Sequence, residues 1–138
     1  MSKIADSVIS IPCTLEGNFM NLWLTFLTPL HKLTPSIINL AAEILKHRFK
    51  LSQVIKDEDI LDKYLTTNEE IREAIIKKCE LSTSNYHVSI GKLKKAGFFI
   101  NGKVNPKFIP KITVDKDQYT LMLLFKVQKK EDSNAKAE

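Results

Sequence analysis

Six lysines and no carboxylate occupy residues 81–112, so groups that suit a polyanion are concentrated in one stretch of the sequence. The chain has 138 residues and a formal net charge of +5, so the rest of the chain sums to −1. A local excess of ammonium groups is the electrostatic footprint expected of a surface that binds phosphates. Lysine is also a common solvated surface residue, and that alternative stays open for each of them. The six are Lys92, Lys94, Lys95, Lys103, Lys107 and Lys111.

The same stretch predicts one amphipathic helix. Ser82 is typical of a helix N-cap and Gly97 of the residue that ends a helix, so we expect a helix from residue 82 to about residue 96. Tyr86, Ile90 and Leu93, spaced by four and three, predict its inward face. The same helical period places small hydroxyls, an amide, an imidazole and ammonium groups on the outward face. The candidate contact residues are Thr83, Ser84, Asn85, His87, Lys92 and Lys95, with Val88 beside them.

Phosphate and base contacts are the chemistry that these residue types support. Asn85 can form two hydrogen bonds to adenine, and Lys92 and Lys95 can neutralise phosphates. Each residue also has an ordinary structural interpretation. The hydroxyls and the amide suit the first turn of any helix, and His87 suits a solvated surface. The three lysines at 92, 94 and 95 cannot all share one helical face, so at least one of them only solubilises.

A β-hairpin is predicted directly after this helix. Residues 98–100 are a short aromatic and β-branched run, and Asn101-Gly102 is a strong two-residue turn signal because both residues tolerate positive φ. Lys103 and Val104 begin the return strand. We expect Phe98 and Phe99 to pack in the core rather than to stack on bases.

Further helices are predicted upstream. Residues 17–30 repeat apolar side chains at helical steps, with Trp23 expected in the core or, alternatively, in a contact between two copies. Thr34-Pro35 predicts a helix start, with the end near Arg48. Asp57 is the predicted cap of a helix that carries Ile60, Leu61, Tyr64 and Leu65.

The outermost segments complete the predicted architecture. Thr67 and Glu70 fit a capping box for a helix that stops near Glu80. An edge strand is predicted over residues 7–12 and a last strand over residues 119–127. The polar tail at 129–138 is predicted to be unfolded. Residues 1–128 are therefore expected to form a single domain.

Catalysis and cofactor binding are not expected. His31, His47 and His87 lie on separate segments without metal-ligand spacing, and the four glycines form neither a phosphate-binding loop nor a dinucleotide fingerprint. Cys13 and Cys79 are expected to be isolated buried thiols, with a disulfide as the open alternative. No apolar run is long enough to span a membrane. We expect a cytoplasmic, non-enzymatic protein without metal or cofactor, or one that acts inside an assembled particle.

Residues 81–88 (LSTSNYHV) and 93–99 (LKKAGFF) resemble the recognition helix and wing entry of winged helix-turn-helix DNA-binding domains. Regulators of the multiple-antibiotic-resistance type and the winged helices of plasmid replication initiators look similar. Ser82, Leu93 and Gly97 keep the spacing of those families, and residues 98–106 (FFINGKVNP) are similar to the wing of the replication initiators. The sequence departs from the pattern at Glu80, where those families have glycine, and at Ser89, which is usually apolar.

The resemblance implies an α+β, mainly helical fold: a winged helix-turn-helix with a hairpin wing and extra N- and C-terminal strands. It implies a protein that binds double-stranded DNA through the helix at 82–96 and the wing at 98–105, with Lys103 reaching a neighbouring minor groove or backbone. A transcriptional regulator or a replication or packaging accessory would fit, and a homodimer would read two half-sites.

The alternative is a structural or protein-docking winged helix in a larger assembly, such as a phage particle. The small number of basic residues favours this alternative, because the wing has one lysine and Arg72 is the single arginine after Lys50.

Overall fold

In the computed structural model, which describes residues 13–114, 119–120 and 127, the chain is α+β and mainly helical. The described helices are α1 (Phe19–Phe26), α2 (Pro35–Ser52), α3 (Glu58–Thr67), α4 (Glu69–Lys78) and α5 (Thr83–Lys95). The strands are β1 (Phe99–Ile100), β2 (Lys103–Val104), β3 (Thr113–Val114) and β4 (Tyr119–Thr120). β1 pairs antiparallel with β2, and β3 pairs antiparallel with β4. Short 3₁₀ turns lie at Thr28–Leu30 and Pro106–Phe108.

Helix α2 is the centre of the core, because α1, α3, α4 and α5 all pack against it. Its buried side chains form one broad apolar face and include Ile37, Leu40, Ala41, Ile44 and Leu45. A broad apolar face on an 18-residue helix must be covered by other elements to leave water. The shorter helices cover it, and the same core holds Leu93 of α5 and Phe98 before β1.

Helix α1 is shorter than the helix predicted over residues 17–30. It ends at Phe26 and is followed by the 3₁₀ turn, which contains Pro29. Proline has no N–H to donate and its ring clashes with the preceding turn, so the α-helix cannot continue through it. Trp23 is buried, as expected, and its indole Nε1 donates a hydrogen bond of 2.8 Å to the carbonyl of Phe108. Phe26 is 48% exposed.

Helix α2 extends beyond Arg48, where its end was predicted, and continues to Ser52. Arg48 is buried rather than placed at a solvated helix end. Its Nε donates to Oδ1 of Asp62 on α3 at 3.0 Å, and both side chains are almost fully buried. The predicted helix end near Arg48 was therefore about one turn too early, and a partner on the next helix takes the charge of Arg48.

Side-chain caps begin three of the helices. The Asp57 carboxylate accepts from the amides of Asp59 and Ile60, as predicted, and Ser82 Oγ accepts from the amide of Asn85 at 3.1 Å. The capping box at Thr67 is wrong. Asn68 is the cap of α4, and its side chain accepts from the amide of Ile71 at 2.9 Å.

Thr67 is instead the last residue of α3, where its hydroxyl donates to the carbonyl of Lys63. Since α3 and α4 are separated by Asn68 alone, Thr67 remains helical and cannot take the extended backbone of a cap.

Residues with positive φ end α4 and α5. The amides of Glu80 and Leu81 bond back to Lys77 and Ile76, and those of Gly97 and Phe98 bond back to Lys94 and Leu93. This pattern is the Schellman motif, whose first residue beyond the cap is left-handed. Gly97 takes φ +85 there, as its type predicts, but the equivalent residue after α4 is Glu80, with φ +54.

The β1–β2 hairpin has the predicted turn. Asn101 takes φ +54 and Gly102 φ +77, the two positive values that a tight hairpin of this length needs. Val104 is buried, and Asn105 closes the hairpin by donating from its side chain to the carbonyl of Gly97 at 2.9 Å.

Several predictions fall on other parts of the chain. The strand at residues 7–12 and the tail at 129–138 lie outside the described residues, and of the strand at 119–127 only Tyr119–Thr120 is described as strand. Cys13 is exposed, contrary to the expectation that it is buried, Cys79 is half-buried, and both are free thiols. None of the helices in the described part of the chain combines the length and apolar character that crossing a membrane requires.

Candidate functional site

The inner face of α5 fixes which of its side chains face solvent. Leu93 is fully buried, and Tyr86 and Ile90 are half-buried against the same core, as their spacing predicted. Burial among apolar groups also raises the pKa of the Tyr86 hydroxyl. The predicted contact residues on α5 are all exposed: Thr83, Ser84, Asn85, His87, Lys92 and Lys95. The structure therefore brings these six onto the solvent side of one helix.

They do not form a single narrow stripe. Successive residues of a helix are rotated by about 100°, so Ser84, Val88 and Lys95 follow the middle of the outer face. Thr83 and His87 lie on one flank of that face, and Asn85 and Lys92 on the other. A ligand that touches all of them must wrap about half of the helix, which is the geometry of a helix inserted in a groove.

The outer face of α5 has open space at its middle. Gly91 follows Val88 along the same line, and a Cβ placed there would meet no atom within 4 Å. Val88 is 58% exposed, although it is an apolar residue. An exposed apolar side chain between hydroxyls and lysines suits contact with another apolar group, such as a methyl. The sequence pattern placed Val88 on this face.

Lys94 is exposed and lies on the same flank of α5 as Thr83 and His87. It lines a cavity of about 190 Å³ between α5 and the hairpin, together with Tyr86, Ile90, Phe99 and Gly102. Lys92 and Lys95 remain on the outer side, and no salt bridge to either forms within the described residues. Lys94 has no salt bridge there either, so three ammonium groups without a described partner lie near the C-terminal end of α5.

His87 is held against its neighbour. Its ring lies edge-on to the ring of Tyr86, with 5.5 Å between the centroids and an interplanar angle of 73°. An edge-on aromatic contact restricts the imidazole without burying it. His87 can thus still present one ring nitrogen to a ligand on the flank of the helix.

Lys103, the predicted contact residue on the hairpin, has a partner within the chain. Its Nζ donates a hydrogen bond to Oδ1 of Asp59 in the first turn of α3. That hydrogen bond and the charge of Asp59 raise the pKa of Lys103, with smaller contributions in the same direction from Asp62 and Asp57. The prediction treated Lys103 as a free ammonium group, whereas the structure places a carboxylate against it.

Asp59 is the residue near the site that the sequence pattern missed. It lies 44 residues from Lys103, and its position in the first turn of a helix already has a local explanation through the helix dipole. A long-range pair of this kind leaves no periodic or local signal. The packing of β2 against α3 brings the two charges together.

No metal-binding arrangement accompanies this surface. Among the residues that the structure describes, no three His, Cys, Asp or Glu side chains are grouped so that they could hold a metal ion. The chemistry that the described surface offers is hydrogen bonding and charge neutralisation. No protein-family model, curated protein sequence or solved structure matches the chain.

Proposed function

We propose that the chain is a winged helix-turn-helix protein that binds double-stranded DNA through the outer face of α5. The order of elements supports this: α4 and α5 are joined by a short turn, and a tight hairpin follows Gly97. That order is the winged-helix arrangement, in which the second helix of the pair enters the major groove. The hairpin β1–β2 takes the place of the wing.

The observation that supports DNA as the ligand is the exposed, acid-free outer face of α5. Hydroxyl and amide groups occupy its first turn, where the helix N–H groups and dipole also favour an anion. Lysines follow in its last turn. Thirteen residues make a rod about 20 Å long, which fits the major groove and lets both ends meet phosphates.

Distinct roles follow for the residues of this face. Asn85 reads adenine through its amide, and Val88 meets a thymine methyl near the middle of the face. Thr83 and Ser84 bind backbone phosphates, and Lys92 and Lys95 neutralise phosphates farther along the groove. Base readout is then concentrated near the N-terminus of α5, while the affinity that depends on salt comes from its C-terminal half.

A second copy of the chain would supply the second half-site. Phe26, at the end of α1, is 48% exposed and Leu30, in the following 3₁₀ turn, is 71% exposed. Apolar side chains exposed at this level on adjacent turns suit a dimer contact. As a dimer or a monomer, the protein would act as a regulator or as an accessory of replication or packaging.

The test is a fluorescence-anisotropy titration of a labelled mixed-sequence duplex with wild-type protein and with Lys92→Ala/Lys95→Ala. Each lost phosphate contact lowers the slope of log affinity against log salt by about 0.9, so we expect the slope to fall by up to about two. Lys50→Ala/Lys63→Ala removes the same charge from exposed positions on α2 and α3 and is the matched control. Equal losses in the two double variants would contradict the proposal, as would unchanged binding in the first.

A second candidate function is docking to another protein, and one observation on α3 favours it. Ile60 and Tyr64 are four residues apart and are 58% and 45% exposed, while Leu61 and Leu65 on the same helix are buried. An exposed apolar pair beside an acidic helix start suits a protein partner. Absence of duplex binding by the wild-type protein at low salt would favour this candidate over DNA.

A further inference from the structure

The contact between Lys103 and Asp59 joins the hairpin to α3. Lys103 is on β2 and Asp59 is in the first turn of α3, and their side chains are 49% and 75% exposed. In register, Lys103 lies opposite Ile100, while Phe99 and Val104 form the other pair of the hairpin. Since Val104 is buried, the Lys103 side of the hairpin is the side that reaches outward to α3.

The other carboxylates at the start of α3 are engaged elsewhere. Asp57 accepts from two backbone amides as the helix cap, and Glu58 lies 3.5 Å from the Arg48 guanidinium. Asp59 is thus the carboxylate of this turn whose side chain reaches the hairpin. It neutralises the ammonium group that the proposed function would use at the wing.

We infer that Asp59 competes with a DNA phosphate for Lys103 and so limits what the wing contributes to binding. This inference rests on the proposed function, and it identifies a residue that regulates binding at the same site. An exposed ion pair in water is weak and is screened by salt, so phosphate can displace the carboxylate. While the pair is intact, however, Lys103 contacts no phosphate and so releases no counterion from the duplex.

The contributions of the lysines follow from this competition. Lys92 and Lys95 have no salt-bridge partner within the described residues, so replacing either one removes a phosphate contact and lowers affinity directly. Lys103 is already paired, so Lys103→Ala in the wild-type background changes affinity less than either of the others. Removing the negative charge of Asp59 frees the wing lysine for a phosphate.

The experiment is a double-mutant cycle with Asp59→Asn, Lys103→Ala and the two combined. Affinity for a mixed-sequence duplex is measured at about 50 and about 200 mM salt. We expect Asp59→Asn to tighten binding and to make the salt slope steeper by about 0.9, which is a roughly threefold larger affinity ratio between the two salt concentrations. With alanine at residue 103, the effect of Asp59→Asn on the slope should disappear.

Glu73→Gln is the matched control, because it removes one exposed carboxylate from α4 without a described contact to the hairpin. It measures the general effect of a more positive protein. Thermal unfolding followed by circular dichroism checks that each variant folds.

Three outcomes would overturn the inference. One is an Asp59→Asn gain no larger than that of Glu73→Gln, and another is an equal gain with alanine at residue 103. With either of these two outcomes, the proposed function would still hold if Lys92→Ala/Lys95→Ala weakened duplex binding. Failure of every variant, wild type included, to bind the duplex would overturn both together.

Discussion

At the scale of single residues, Arg48 and Asp62 form a buried ion pair between two helices. Two charges are removed from water between α2 and α3, at 3.0 Å from each other, and the second nitrogen of the guanidinium lies 3.4 Å from the other carboxylate oxygen. A buried pair of this kind contributes little net stability, but the loss of one partner strands the other charge. Its main effect is therefore to specify how α2 and α3 align.

Asp62→Ala should lower the free energy of unfolding by about 3 kcal/mol, because Arg48 then stays buried without its partner. Arg48→Met/Asp62→Leu, which removes both charges, should cost less than the single change. Urea unfolding followed by circular dichroism measures all three proteins. Glu58→Gln is the control, since Glu58 meets the same guanidinium from an exposed position and should have little effect. A double variant less stable than Asp62→Ala would contradict this account.

Among residues, those whose roles are local were predictable and those whose roles are long-range were not. Ser82, Asp57 and Asn101-Gly102 act on backbone groups within three residues of themselves, so their types and spacing were sufficient. Asp59 and Asp62 act on partners in other elements. No single sequence carries a signal for that pairing, because the partners meet only after the helices pack.

At the scale of elements, the order and type of the helices follow from apolar spacing, whereas their ends depend on competition between neighbours. α3 and α4 illustrate this, since one residue separates them and both Thr67 and Asn68 are good caps. In the structure, Asn68 is the N-cap of α4 and Thr67 is the last residue of α3. A capping-box pattern cannot decide between two adjacent candidates, because it ignores where the preceding helix stops.

Asn68→Ala should lower the free energy of unfolding by about 1 kcal/mol, because the amide of Ile71 loses its acceptor. Thr67→Ala should have a much smaller effect, because its hydroxyl bonds to a carbonyl within α3 and alanine is a better helix former. Thermal and urea unfolding of both variants compare them directly. The reverse order of the two effects would show that Thr67 is the cap in solution.

At the scale of the whole molecule, one hydrogen bond connects the beginning of the described chain to the segment after the hairpin. Trp23 on α1 donates to Phe108, which is 85 residues farther along. Phe108 itself packs with Phe98, with 5.3 Å between ring centroids. Helix α1, the core and the base of the hairpin are therefore linked through one aromatic cluster, and we expect them to unfold together.

Trp23 is the single tryptophan of the chain, so its fluorescence reports on α1 while circular dichroism reports on all helices. The two signals should give one coincident urea transition, as expected for a two-state domain. Trp23→Phe should move that transition to lower urea by the loss of about 1 kcal/mol for the hydrogen bond to Phe108. A fluorescence transition that precedes the circular dichroism transition would show that α1 detaches separately.

The left-handed backbone of Glu80 has a consequence for engineering. An L-residue pays a steric penalty of about 1–2 kcal/mol there, and glycine does not, so Glu80→Gly should raise the thermal midpoint. A β-branched residue tolerates that backbone worst, so Glu80→Val should lower the midpoint instead. The turn that carries the chain from α4 into α5 can thus be strengthened or weakened at one residue without altering any side chain of α5 itself.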